Sequence, residues 1–374
     1  VKLLNLQVHQ FRNIEKAEVD FPTPLTIFQG QNAQGKTNLL EAIAMLVMGK
    51  SFRTREDKQI LPWDSPLATT VVRGRILQDS GITTIHLGLK KNRKQVVLNG
   101  EPLKRLGDLL GQLRAVLFLP DDLDLVHGPP ALRRRLLDSI LIQVDRNHLD
   151  SLQRYDNALK NRNSLLRTTG TERPINPDTL VALQTYEAIL SQHGPAITRR
   201  RQAMLEELSP ILSESYGTIR GSGLEIIAVK FRAGYPDPEI DENQIRAKYL
   251  RQRETDRYRG SASMGSHRDD FDLSLNAQSA ANFASQGQRR SIVLAMKLAQ
   301  VAYLLHLTGA PPLLLMDDIF SELDCSRQNA LLKALPHGTQ TILTATDATP
   351  LHFAEASHWT VENGRITHWQ DIRT

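Results

Sequence analysis

Two motifs at opposite ends of this chain constrain its fold more than anything else, because neither works without the other. Gly30-Gln31-Asn32-Ala33-Gln34-Gly35-Lys36-Thr37 has the form GxxxxGK[ST]. Leu25-Thr26-Ile27-Phe28 ahead of it reads as a buried strand, and Asn38 to Met48 after it reads as a helix. A phosphate cradle needs that strand, loop and helix. Glycines let backbone N–H groups wrap an anion, Lys36 neutralises β and γ oxygens, and Thr37 offers a hydroxyl to Mg²⁺ at the positive end of the helix. ATP and Mg²⁺ are therefore the expected cofactors, with Gly30 to Asn38 as the binding segment.

The second motif lies far downstream. Leu313-Leu314-Leu315-Met316 is an apolar strand that ends in Asp317-Asp318. Asp317 is expected to hold Mg²⁺, together with Thr37, and Asp318 stands where a hydrolytic base belongs. Two adjacent buried carboxylates are unfavourable unless a cation sits beside them. Ser285-Gln286-Gly287-Gln288 comes just before, at the start of an apolar helix from Ser291 to His306. By itself this tetrapeptide fits an ordinary helix cap equally well. An isolated phosphate loop, however, leaves the γ-phosphate open on one side. One family of ATPases closes that side by dimerisation, and the resemblance of Ser285, Gly287 and Gln288 at a helix N-terminus to its closing segment implies the same role in a second copy of the chain. The expectation is an ATP-dependent homodimer, with Ser321-Glu322-Leu323-Asp324 as the turn that crosses the seam.

Between the motifs the texture changes. Leu3–Val8, Ala17–Phe21, Thr70–Leu77, Thr83–Leu89 and Gln95–Leu98 alternate with period two and predict strands, and Asn99-Gly100 predicts a turn. Leu103–Leu113 reads as helical and Ala115–Leu119 as a buried strand. From Ala131 to Arg167, and again from Asp178 to Leu212, apolar residues recur at three and four, which predicts a helical hairpin. Its arms of about 50 Å are too short for a chromosome tether. Leu224–Phe231 and Phe271–Leu275 read as strands, and Tyr235–Arg259 as a polar, mobile stretch. The predicted fold class is α/β: a P-loop ATPase head made of residues 1–120 and 270–374, with a mainly helical second lobe, 121–269, inserted into it.

Composition removes several function classes. A single cysteine, Cys325, rules out an intrachain disulfide and disfavours a thiolate metal site. The eleven histidines show no metal spacing. No apolar stretch approaches the roughly 20 residues needed to span a bilayer, and the N-terminus alternates polar and apolar residues, so neither secretion nor membrane spanning is expected. Forty-six Lys and Arg against 41 Asp and Glu give a formal charge of +5, which permits a nucleic-acid partner.

The ordered motifs resemble the ATP-binding-cassette class, in its SMC-head-like form. More narrowly, Phe11-Arg12-Asn13, Lys50-Ser51-Phe52-Arg53-Thr54, Phe118-Leu119-Pro120-Asp121-Asp122-Leu123, Arg133-Arg134-Arg135 and Gly265-Ser266-His267-Arg268-Asp269-Asp270 resemble the RecF family of bacterial recombination-mediator ATPases. The resemblance covers essentially the whole chain. It implies a cytoplasmic, nucleoid-associated protein that dimerises on double-stranded, gapped or junction DNA with ATP, and hydrolyses ATP slowly. It also implies cooperation with RecO and RecR in placing RecA, and adds Arg12 to the nucleotide contacts.

Departures from the broader cassette pattern bear on mechanism. Gln286 stands where glycine is usual. Asp318 replaces glutamate with a carboxylate one methylene shorter, which predicts a poorly held water and slow hydrolysis. Thr346 occupies the usual histidine position. The lobe-connecting glutamine has Pro120-Asp121-Asp122 in its place, and His267 and Arg268 suit a nucleotide contact, a hinge or a structural role.

DNA contacts are expected from Arg133–Arg135, Lys160, Arg162, Arg167, Arg199–Arg201, Lys248, Arg251, Arg253, Arg257 and Arg259, through phosphates rather than bases. A transport ATPase, an SMC-type tether and a small-molecule kinase are the competing readings. The long insertion, the short arms and the Ser321–Asp324 turn weigh against them in that order.

Overall fold

The computed structural model describes residues 1–369 except 55, 63–68, 79–80, 91–92, 171–173, 221–223, 237–240 and 347–355, with backbone only at 322 and 325. In chain order come β1 (Lys2–Phe11), β2 (Ile14–Asp20), β3 (Leu25–Gln29), α1 (Lys36–Met48), β4 (Thr69–Gln78), β5 (Gly81–Lys90), β6 (Arg93–Leu98), β7 (Glu101–Pro102) and β8 (Ala115–Phe118). Next are α2 (Pro130–Val144), α3 (Arg146–Thr169), α4 (Pro177–Ile219), β9 (Ile227–Arg232), α5 (Glu242–Arg259), β10 (Asp270–Leu275), β11 (Gln278–Ser279), α6 (Ala280–Phe283) and α7 (Gln286–Thr308). The last elements are β12 (Leu313–Asp317), α8 (Cys325–Ala334), β13 (Thr341–Ala345), β14 (Ser357–Glu362) and β15 (Arg365–His368).

Two compact units result. The first comprises Val1–Leu123, Glu214–Gly221 and Arg290–Thr374; the second comprises Asp124–Ser213 and Ser222–Arg289. The stretch 270–289, expected with the ATPase head, clusters with the second unit. The reason is strand pairing: β10 runs antiparallel to β9 over its whole length, from Asp270↔Arg232 to Leu275↔Ile227.

The first unit is built on α1. Every residue from Leu39 to Val47 is buried, so this helix is apolar all round rather than amphipathic. It packs against β1, β4 and β5 on one side and β8, β12 and β13 on the other. The first three belong to an antiparallel sheet of order β2-β1-β4-β5-β6-β7, whose strands alternate buried and exposed as a half-solvated sheet should. Asn99 and Gly100, both at positive φ (50° and 88°), turn β6 into β7. The other sheet has the order β15-β14-β3-β13-β12-β8, parallel except for its β15 edge. Its middle strands are apolar runs buried on both faces: all five positions of β12 and all five of β13 are buried. The Leu103–Leu113 segment is not the expected helix. It forms a single 3-10 turn at Leu106–Leu109, and Gly111 at φ 85° ends any continuation.

In the second unit a three-stranded sheet, β11-β10-β9, accompanies the helices. The first helical arm breaks once, at Asp145, whose side chain caps α3 by accepting from the Asn147 N–H. Of the stretch expected to be mobile, 237–240 lie outside the described residues and Glu242–Arg259 is the helix α5. Asp241 caps it by accepting from Gln244 N–H, and Gly260 at φ 65° closes it. Tyr155, Leu190, Ile197, Tyr235, Ile245, Tyr249 and Met264 form this unit's apolar core.

Among the described residues one helix, α7, is by length and composition apolar enough to cross a membrane, with a mean hydropathy of 1.4 over its most apolar window. Lys297, Gln300 and His306 interrupt its apolar run, which is why no such stretch is evident in the sequence. Of that window, 72% is buried inside the fold, as in the core helix of a globular unit.

Candidate nucleotide-binding site

The site forms where three parallel strands end. The carboxyl ends of β3, β13 and β12 are neighbours, with Phe28 beside Thr344 and Thr344 beside Asp317. Ligands of open parallel sheets bind outside that edge. Parallel register puts Asp317 and Thr344 on the same face, and the loop leaving β3 runs straight into α1.

That loop has the backbone its sequence requires. Gly30 passes so close to β14 that a Cβ there would lie 2.2 Å from the Val361 carbonyl oxygen. Ala33 and Gly35 adopt positive φ, 64° and 116°. The helix α1 then begins with no side-chain cap, so its first-turn amides are presented to an anion, the arrangement that suits phosphate. Lys36 is buried and places Nζ 2.5 Å from the Gly30 carbonyl and 2.8 Å from that of Gln31. The ammonium thus lies over the loop that would cradle the anion.

The downstream carboxylates meet this loop. Thr37 and Asp317, 280 positions apart, are joined: Thr37 Oγ1 is 2.9 Å from both carboxylate oxygens of Asp317. A hydroxyl and one carboxylate, with phosphate oxygens and waters completing the set, make the hard oxygen shell that Mg²⁺ prefers. Thr344, fully buried, donates to Asp317 Oδ1 at 2.8 Å and accepts from the Asp318 N–H at 2.9 Å. Asp318 sits at φ 49°, a left-handed conformation rare for residues other than glycine, and Ser321 Oγ donates to its carbonyl at 2.6 Å. Its Oδ1 is buried and has no partner among the described residues. Burial raises the Asp318 pKa and the neighbouring Asp317 charge adds to this, against the opposing pull of Ser321 and Lys36. A strained turn that leaves one carboxylate oxygen of Asp318 without a partner among the described residues fits a group that orients water.

Further contacts brace the loop from outside. Asn13 donates to the Gln34 carbonyl at 3.1 Å and accepts from Asn38 Nδ2 at 2.7 Å, and Asn38 in turn accepts from Arg53 at 2.7 Å. Gln34 Oε1 accepts from the Asn363 N–H at 2.6 Å, which ties the loop to the β14–β15 turn. Arg12, expected among the nucleotide contacts, is held by neighbours of its own. Its guanidinium is bound to buried Glu41 at 2.5 and 2.8 Å and to the Gln59 carbonyl at 3.1 Å. Asp122 of the Pro120-Asp121-Asp122 segment accepts from the Leu119 N–H at 2.7 Å and pairs with buried Lys297 at 2.9 Å, which fixes that segment. Thr346 contributes its backbone, a hydrogen bond to Asp318. Asp347 lies outside the described residues.

Ser285, Gly287 and Gln288 belong to the other unit. They form a capping box: Gln288 N–H donates to Ser285 Oγ at 3.2 Å and Ser285 N–H to Gln288 Oε1 at 2.7 Å. Gln288 Nε2 also donates to Glu225 at 2.6 Å. Ser285 itself is exposed.

Five of the arginines expected on DNA are instead engaged in buried contacts, whereas Arg135, Lys160, Arg167, Arg199, Arg251 and Arg259 are exposed. Arg133 is bound to Asp270 at 2.6 and 3.0 Å, and Arg201 to Asp138 and Asp269 at 2.7–2.9 Å. Arg162 and Arg253 converge on the fully buried Glu187, and Arg162 also pairs with Asp256 at 2.8 Å. Arg257, likewise buried, donates to the Gly170 carbonyl. These buried guanidiniums hold the second unit together. His267 is structural as well: Nδ1 meets the Tyr155 hydroxyl at 2.8 Å, and Nε2 the Ala262 carbonyl at 3.1 Å.

Comparison with known proteins fixes the lineage. Residues 2–366 match the family model described as RecF/RecN/SMC N terminal domain. A DNA replication and repair protein RecF from Cyanothece sp. is 37% identical over 349 residues, 92% of this chain and 91% of that protein. The chain belongs to the RecF family. RecF from Exiguobacterium sp. is 34% identical over 98% of this chain and 96% of its own. A solved structure of the recombination mediator protein RecF-ATPrS in the RecFOR pathway superposes with TM-score 0.88 at 30% identity, covering 98% of each chain. The Smc head of Pyrococcus furiosus shares the fold at TM-score 0.55 and 15% identity, over 100% of this chain and 99% of that one. Like other RecF proteins, then, the chain is an ABC-type α/β P-loop protein akin to SMC heads.

Proposed function

We propose that this chain is an ATP-driven switch of recombinational repair. It binds Mg·ATP at Gly30–Asn38, dimerises with ATP sandwiched between two copies, and binds duplex, gapped or junction DNA. With RecO and RecR it helps to place RecA. The observation that carries the reading is the junction of Thr37, Asp317 and Thr344 beneath an uncapped helix start, in a chain of the RecF family. RecF relatives named for ATP support the nucleotide, and those named for DNA replication and repair support the DNA. Ser285 and Gly287, exposed or partly exposed at a helix start, suit completion of a second copy's site. Asp317 and Thr37 hold Mg²⁺, Lys36 neutralises phosphate, and Asp318 orients the attacking water. Because Asp318 is one methylene shorter than the usual glutamate, turnover falls below the enzyme median of about 10 per second and serves to reopen the dimer.

Anisotropy of a labelled gapped duplex, titrated with the protein with and without Mg·ATP at fixed salt, tests this. Tightening by ATP supports a nucleotide-closed clamp. Equal binding in both conditions separates DNA from the nucleotide site, and no DNA binding in either removes DNA from the function.

A further inference from the structure

With Arg133, Arg162, Arg201 and Arg253 of the second unit held in buried ion pairs, the first unit's exposed cations offer a polyanion another surface. The outer face of the antiparallel sheet gathers cations that have no ion pair among the described residues. The strand register settles which side chains point outward: Leu3 opposite Ile76 and Leu6 opposite Gly74 face the core, so Lys2, Asn5, Gln7, Arg73 and Arg75 face out. The same alternation turns Thr84, His86 and Lys90 of β5, Arg93 and Val97 of β6 and Lys16 of β2 to that side. Among the described residues this face carries Lys2, Lys16, Arg73, Arg75, Lys90 and Arg93, all exposed. Against them stand Glu15, Glu18 and Asp20 on the β2 edge. One sheet face therefore holds three more cations than carboxylates, in a chain whose whole formal excess is +5.

Among the described residues the central arginines have no carboxylate partner. Arg73 has Gln7 and His86 as cross-strand neighbours, and Arg75 has Asn5 and Thr84; none is a carboxylate. The β2 carboxylates are taken by the β1 amides instead, Asn5 Nδ2 donating to Asp20 at 2.7 Å and Gln7 Nε2 to Glu18 at 2.9 Å. That leaves the acid row two strand spacings, about 10 Å, from the arginine row, roughly a Debye length at physiological salt. The contrast with Arg133, Arg162 and Arg201, each pressed against carboxylates, shows that this molecule pairs its arginines where it uses them for packing. Between the strands lies a hollow of about 350 Å³ lined by Asn5, Gln7, Arg73, Arg75, Thr84 and His86. Burial and the Arg73 charge hold the His86 imidazole below its usual pKa, so near neutral pH it enters as an uncharged hydrogen-bonding group. Two guanidiniums on one strand, about 7 Å apart and flanked by hydroxyl, amide and imidazole groups, suit successive oxyanions of an extended chain.

We propose that the outer face of this sheet, centred on Arg73 and Arg75, is a contact surface for the phosphate backbone of DNA. The assignment rests on the DNA reading above and adds the surface. Such contacts read no bases and set a salt dependence.

The test is a salt titration of duplex affinity, by anisotropy, for the full chain and for Arg73→Glu/Arg75→Glu, with Arg73→Gln/Arg75→Gln as a milder variant. A single-stranded oligonucleotide run in parallel separates the two backbone sources. Losing two phosphate contacts lowers the slope of log affinity against log salt by about 2. The variants are expected to show this, with a loss of at least about tenfold in affinity, and to keep their ATP affinity. Unchanged slope and affinity in both variants, with the parent still binding DNA, overturn the surface and leave the DNA reading standing. A parent that binds neither nucleic acid overturns both. Binding of a poly-glutamate peptide that is abolished by the variants while duplex affinity holds overturns the assignment in favour of an acidic protein segment.

Discussion

The Thr344 hydroxyl donates to Asp317 at 2.8 Å while accepting from the Asp318 N–H at 2.9 Å, so one buried side chain sets both the carboxylate that faces Thr37 and the strained turn after it. Thr344→Val keeps the shape and removes the bridge. It leaves a carboxylate oxygen and an amide without their partner at the metal position. Removing such an outer partner typically costs 10–100-fold in metal affinity. We expect Mn²⁺ affinity in the nucleotide complex, read by EPR, to fall by about tenfold or more, with Thr344→Ser restoring it. Equal Mn²⁺ affinity in Thr344→Val and the parent would show that the bridge does not position Asp317.

Thr344 also shows where legibility ended. The phosphate loop and the Asp317–Asp318 strand end were readable because each chemistry needs fixed residue types at fixed spacing, and the strands of the antiparallel sheet because one face is solvated. Thr344 sits in Thr341-Ile342-Leu343-Thr344-Ala345, which reads as any buried strand. Only its register partner, Asp317, gives it a role, and register between strands distant in sequence is a tertiary fact. The buried arginines within the basic clusters were illegible for the same reason. Arg162 looks like a solvated helix residue until Glu187 and Asp256, 25 and 94 positions away, close around it.

Ser285 carries two separable roles. As the cap of α7 its hydroxyl accepts from the Gln288 N–H at 3.2 Å, and loss of such a cap costs about 0.5–2 kcal/mol. As a seam residue it is proposed to meet a second copy's phosphate. Ser285→Ala is expected to lower the melting temperature and to abolish ATP-induced dimerisation, while ATP still binds. Ser285→Asn restores the cap. Light scattering with ATP then decides: a stable Ser285→Asn chain that dimerises like the parent confines Ser285 to capping.

The buried cluster of Arg162, Glu187, Arg253 and Asp256 predicts a large stability effect of one truncation. Arg162 is fully buried, pairs with both carboxylates and lies 5.1 Å from the centroid of the Tyr249 ring. Arg162→Met leaves Asp256 a buried carboxylate without its cation, at a cost of about 3–5 kcal/mol. The exposed Arg135→Met should stay within about 0.5 kcal/mol of the parent. Urea denaturation of the two variants side by side measures the difference, and similar midpoints would mean that the cluster contributes no net stability.

His267 makes the second unit sensitive to acid. Burial lowers its pKa from 6.5 to about 4, helped by Arg268 and Arg134 and opposed by the hydrogen bond to Ala262. The folded chain therefore keeps the ring neutral at pH values where the unfolded chain protonates it. Because the unfolded state binds the extra proton, stability falls as pH drops from about 6.5 to about 4, and this contribution levels off below that. The full shift corresponds to about 3 kcal/mol. His267→Gln keeps an acceptor for the Tyr155 hydroxyl and a donor for the Ala262 carbonyl, the two partners His267 holds at 2.8 and 3.1 Å, but does not titrate. Denaturation midpoints at pH 7, 5.5 and 4.5 are expected to decline less steeply in the variant than in the parent. Parallel declines would assign the acid sensitivity to the carboxylates of the ion-pair clusters instead.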